Sequence, residues 1–76
     1  MNFKLNQVII DSIEFAILEN NQDELLSICK NLLAPDIAEI LKSLDFEKAQ
    51  YVFNLLDEEL RADILIELEE DLREKL

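Results

Sequence analysis

The 76-residue sequence predicts an all-α solenoid, or superhelix, of about five or six short helices, forming a single domain over residues 1–76. Three observations predict it. Apolar residues recur with a 12-residue period, each copy spaced i, i+3, i+4, i+7 as on one face of a helix. Helix-opening residues stand between the copies. Glycine, on which tight hairpin turns depend, is absent, which argues against a β-meander.

The repeat is clearest at Ile37, Ile40, Leu41 and Leu44. Twelve residues on stand Ala49, Val52, Phe53 and Leu56, and twelve further Arg61, Ile64, Leu65 and Leu68, where only the first position has turned polar. Stepping back gives Leu25, Ile28, Cys29 and Leu32, then Ile13, Ala16, Ile17 and Asn20. Twelve residues at 3.6 per turn make three turns plus about 120°, so this stripe would circle a continuous helix within three copies. The chain must therefore break once per repeat, and each short helix must turn its own face inward.

The elements follow in order. The first helix is read at residues 7–20, carrying Ile13, Ala16 and Ile17. Asn21 followed by Glu24 is a capping-box pair and opens a second helix at 22–32. Pro35 suits the first turn of a third helix at 35–44, because its missing N–H would be unpaired there anyway. Asp45 and Asp57 are N-cap types that open helices at 46–56 and 58–69, with Glu47, Glu58 and Glu59 placing negative charge at the positive end of each dipole. A sixth helix is read from residue 71 onward, with Leu72 matching Leu60 and Leu76 matching Ile64. Helices of about ten residues do not persist alone in water, so each must bury its stripe against its neighbours. The last copy begins without being completed, so the chain reads as the N-terminal fragment of a longer protein, its end expected to fray or to pair with another copy.

Composition excludes several function classes. Without glycine there is no phosphate-cradling loop, and without histidine there is no Ser-His or Cys-His nucleophile pair and no His-ligated zinc. The chain is not expected to be an enzyme. The single Cys29 cannot form an internal disulfide, which suits a reducing compartment; it fills the slot of Leu41, Phe53 and Leu65 and is read as a small buried hydrophobe. No apolar run approaches the roughly 18 residues of a membrane span, and Met1 to Asn6 lead into Asp11 and Glu14 without a signal-peptide cleavage site. The segment is therefore expected to be soluble and cytoplasmic, without direct membrane insertion. Eighteen acidic against seven basic side chains leave a charge of −11, a poor match for nucleic acid and a good one for cations or basic surfaces.

Two groups of residues remain as candidate sites. Residues 57–76 hold nine acids and three bases. Within them Asp63 and Glu67 stand i, i+4 on one helix and could share Mg²⁺, which takes oxygen ligands and keeps several waters. The plainer reading, favoured on residues alone, is a solvated face partly balanced by Arg61 and Arg73. The second group is apolar and lies off the stripe: Tyr51, Leu55, Ile66 and Phe46. These suit either a partner surface or, preferably, the second core contact that any stacked helix makes. Catalysis by paired carboxylates is rejected, since nothing suggests a cleft to position them.

The segment Ala34-Pro35-Asp36-Ile37-Ala38-Glu39-Ile40-Leu41 resembles the intracellular N domain of MgtE-type magnesium transporters. The stretches Ser43-Leu44-Asp45-Phe46-Glu47-Lys48-Ala49, Phe53-Asn54-Leu55-Leu56-Asp57-Glu58-Glu59 and Arg61-Ala62-Asp63-Ile64-Leu65-Ile66-Glu67-Leu68 continue the resemblance, and Ile17 to Leu25 extend it back, so that it runs over about residues 10–76. The resemblance implies a right-handed superhelix, followed after residue 76 by paired CBS domains and a five-span transmembrane domain, in a homodimer. It implies a regulatory domain on the cytoplasmic side of the cell membrane, sensing intracellular Mg²⁺ through acidic residues that face a CBS domain of the same chain. By position the family's acid falls on Asp63, the leading candidate for an interdomain Mg²⁺ site, with Glu67 second on helical geometry. Asp57 stands where the family usually has proline, and Mg²⁺ binding by this segment alone is expected to be weak. The alternative, from another class, is a protein–protein interaction module of the armadillo type found in flagellar motor switch proteins.

Overall fold

The computed structural model describes residues 7–68 and 70–76, with Asp71 described by its backbone alone. Among the described residues there are six α-helices and no strand: α1 Gln7–Leu18, α2 Gln22–Lys30, α3 Ala34–Ser43, α4 Phe46–Leu55, α5 Glu58–Glu67 and α6 Glu70–Lys75. The all-α class and the break in every repeat are as the periodicity predicts. The readings placed on Met1 to Asn6 and on Glu69 lie outside the described residues.

A glycine-free chain has to end its helices by other means, and α1 and α3 to α5 use two of them. The first helix stops at Leu18, two residues short of its expected end, because Asn20 takes the left-handed conformation with φ 53°. The Asn20 N–H donates to the Ile17 carbonyl at 3.0 Å and the Asn21 N–H to the Ala16 carbonyl at 2.8 Å. This is a Schellman closure with asparagine in the place glycine usually takes. It also occupies the Asn21 N–H, so the expected capping box forms only in one direction: Asn21 Oδ1 accepts from the Glu24 N–H at 3.2 Å.

The second device repeats every 12 residues. Leu44, Leu56 and Leu68 follow α3, α4 and α5 with ψ of 157°, 155° and 151°, and each N–H donates to the carbonyl three residues back. Their backbone is extended, a region open to any L-residue, so no glycine is needed. All three side chains are buried. One leucine thus ends a helix, turns the chain and drops into the core, and the residue after Leu44 and Leu56 takes the N-cap position of the next helix.

The starts are unequal. The Leu60 N–H donates to Asp57 Oδ1 at 2.8 Å, so Asp57 caps α5 as its type predicts. Asp45 occupies the N-cap of α4 without a side-chain capping bond. At α3 the cap residue is Leu33, whose side chain has no acceptor; instead Asp36 Oδ2 reaches back to the Leu33 N–H at 3.3 Å, and Pro35 lies in the first turn behind Ala34.

Packing follows the repeat. Helix α1 lies on α2, α3 lies on both α4 and α5, and α2 also meets α4. Contacts between a helix and the next but one, as of α2 with α4 and α3 with α5, are what a stacked array requires. The core is built mainly of stripe residues, joined by Ala38 from off the stripe, with Ile13 and Ile64 at 0 % exposure and Leu25, Ile37, Ile40, Leu41 and Val52 at 1 %. Each such side chain stabilises the fold by about 1.5–3 kcal/mol relative to its exposed state. Leu72 of α6 and Leu76 just after it pack partly buried against this core. The array spans 29 × 29 × 21 Å.

Candidate functional site

The acidic face of α5 is built by the same periodicity that builds its core face. Ile64 and Leu68 point inward, which leaves Asp63 and Glu67 exposed. Neither carboxylate is engaged in an ion pair or hydrogen bond among the described residues. Arg61 and Arg73, read from sequence as partial counter-charges, form no ion pair there either. Arg61 instead takes the core-facing slot of its repeat, half-buried, with Nε shielded from solvent and unpartnered.

Asp63 and Glu67 fit Mg²⁺ in kind but not in number. Hard carboxylate oxygens are the donors this ion selects. Among the described residues, however, no three His, Cys, Asp or Glu side chains gather closely enough to hold a metal ion. Any site built on Asp63 or Glu67 has to be completed by water and by ligands from elsewhere.

Next to Asp63 runs an open groove of about 400 Å³ between α2 and α5. Leu26, Cys29, Leu32 and Leu60 supply apolar surface, while Asp57, Glu59 and Asp63 stand on one margin and Lys30 on the other. Cys29 is 3 % exposed, and burial pushes its thiol from the ordinary 9.0 up to about 11, so it is a packed hydrophobe as its repeat slot predicts. The groove itself was not read from the sequence, although a signal was present: Cys29 is the smallest side chain among Cys29, Leu41, Phe53 and Leu65.

The off-stripe apolar residues divide. Tyr51 and Leu55 pack partly buried against the core, as preferred from sequence. The Tyr51 hydroxyl also donates to Asn20 Oδ1, tying α4 to the turn after α1. Ile66 and Phe46 are exposed, at 74 % and 39 %, and so correct that reading; none of the described residues covers the outer side of α5 at Ile66 or fully covers Phe46 at the start of α4. On α1, Val8, Phe15 and Leu18 are likewise exposed.

A family model described as the MgtE intracellular N domain matches residues 32–76. The chain belongs to this family. The match covers more than half of the sequence and takes in α3 to α6, so Asp63 and Glu67 lie within it while α1 and α2 lie before it. The resemblance read from about residue 10 thus extends further toward the N-terminus than the match does. No curated protein and no solved structure matches the chain. MgtE N domains are parts of magnesium transporters and are not a catalytic family. Among the described residues no helix is long and apolar enough to cross a membrane.

Proposed function

We propose that this MgtE N domain is the cytosolic regulatory domain of a Mg²⁺ transporter, sensing Mg²⁺ through acidic residues that face a CBS domain. The observation that carries the reading is the position of Asp63: exposed, unpaired, on helix α5 and inside the family match. Asp63 and Glu67 present negative charge on one helix of a chain whose net charge is −11. At low divalent ion such a face repels another acidic domain over a distance of about 8–10 Å, the Debye length at physiological salt. Bound Mg²⁺ would supply two positive charges between the faces and favour their approach. The CBS domain contributes the missing ligands, because this chain's described residues cannot enclose the ion alone. In the full-length homodimer the domain then acts by moving toward or away from its CBS neighbour. It does no chemistry.

An amide NMR titration of the isolated chain with Mg²⁺, against NaCl of matched ionic strength, tests the reading. Shifts specific to Mg²⁺ are expected around Asp63 and Glu67, saturating in about the millimolar range because few protein ligands are available. Asp63→Asn is expected to remove them. Equal shifts with both salts would mean screening alone and would overturn the site.

A further inference from the structure

The groove between α2 and α5 has a composition that Mg²⁺ sensing does not require. A carboxylate face meant only for a hydrated cation has no need of leucine beside it. Here Leu26 is 40 % exposed, with Leu32 and Leu60 half-buried, and Cys29 lines the space beside them in the slot where three other repeats place Leu41, Phe53 and Leu65. The acids are grouped: Asp57, Glu59 and Asp63 hold one margin, opposed only by Lys30.

We propose that this groove is a docking site for a basic amphipathic helix of a partner protein, with leucine-like anchors entering beside Leu26 and Leu60 and lysine or arginine facing Glu59 and Asp63. Charge selects this occupant. A second copy of the chain would bring another −11 of net charge, and nucleic acid or an anionic bilayer would meet the same repulsion. An amphipathic helix laid in an apolar groove is a recurrent mode of recognition, in which i, i+3 or i+4 anchors supply affinity and flanking charge supplies orientation. The open shape suits a helix side better than a small molecule, which sites usually enclose over most of its surface. The proposal does not rest on the Mg²⁺ reading, although Asp63 contributes to both surfaces.

The test uses three synthetic peptides with the present chain: an amphipathic Leu/Lys helix, a scrambled peptide of the same composition, and a Leu/Glu helix. Calorimetry is expected to show binding by the first alone, with amide shifts on α2 and α5. Leu26→Ser, at a partly exposed site that leaves Asp63 in place, is expected to weaken binding about tenfold, the loss of one partly buried anchor. Cys29→Leu, which restores the repeat residue and fills the groove, is expected to abolish it; helix content by circular dichroism establishes that both variants fold. Asp63→Asn is expected to weaken the peptide only modestly and to lower its salt dependence, whereas Leu26→Ser leaves any Mg²⁺-specific shifts intact, so the two proposals fail separately. Equal binding by the scrambled peptide, shifts centred on Phe15 and Leu18, indifference to Leu26→Ser, or self-association through the groove would each overturn the proposal.

Discussion

Cys29 shows how a single position takes its meaning from its repeat slot. In another place a free thiol raises questions of redox chemistry; here it lies 3 % exposed against the core, and its pKa rises from 9.0 to about 11 because burial disfavours the thiolate. Since the folded value lies above the unfolded one, the neutral thiol's contribution to stability is fully present below pH 9.0 and is lost as pH rises through about 11. Alkylation by iodoacetamide at pH 9 is therefore expected to be at least about tenfold slower in the folded chain than in urea, since only the thiolate attacks. Equal rates would show that the thiol is neither buried nor shifted. Asn20 and Tyr51 belong to the same scale. A left-handed turn position that glycine usually fills is held by asparagine, whose side chain then accepts a hydrogen bond from Tyr51 on α4. The 31-residue separation of that pair explains why no local pattern in the sequence announces it.

At the level of the helix, boundaries were legible to within a residue or two because their causes are local. Asn21, Pro35, Asp45 and Asp57 mark starts, and the recurring leucines mark ends. What local reasoning could not settle is whether a cap of the right type makes its bond. Asp57 Oδ1 receives the Leu60 N–H, but Asp45 makes no such bond. Asp57→Ala is accordingly expected to destabilise the domain by about 1 kcal/mol in urea unfolding, the usual worth of an N-cap, and Asp45→Ala by clearly less. Similar losses for both would mean that dipole charge, not the hydrogen bond, is what the two aspartates contribute. Helix α5 also shows the limit of reading one face at a time. Its core side follows the repeat through Ile64 and Leu68, yet Arg61 and Ile66 depart from it in opposite directions, a cation half-buried and an isoleucine exposed.

Over the whole molecule, charge and core act against one another. A core drawn from short helices supports only marginal stability in a chain of this length. A net charge of −11 within extents of 29 × 29 × 21 Å adds self-repulsion. The ion pairs of Lys42 with Glu39 and of Lys48 with Glu14 are both partly solvent-exposed and worth little. Raising NaCl from about 10 mM to 150 mM, which shortens the Debye length from about 30 Å to 8 Å, is therefore expected to raise the thermal midpoint by a few degrees. Magnesium chloride at the same ionic strength should raise it further only if ions bind in addition to screening. A midpoint that falls with salt would mean that attraction outweighs repulsion on this surface.

The sequence by itself determined the all-α class, the number and approximate bounds of the helices, the inward face of each, the burial of Cys29 and the exposure of Asp63 and Glu67. These follow from a period of 12 set against 3.6 residues per turn, a relation between near neighbours. Only the tertiary structure decided what depends on which helices meet. The α2–α5 groove joins residues about 30 apart in the chain, the Tyr51 bond crosses from α4 to the turn after α1, and Ile66 is exposed because none of the described residues packs over it. Periodicity states that a face must be covered. Which neighbour covers it, and how completely, is settled by the packing of one helix on the next but one.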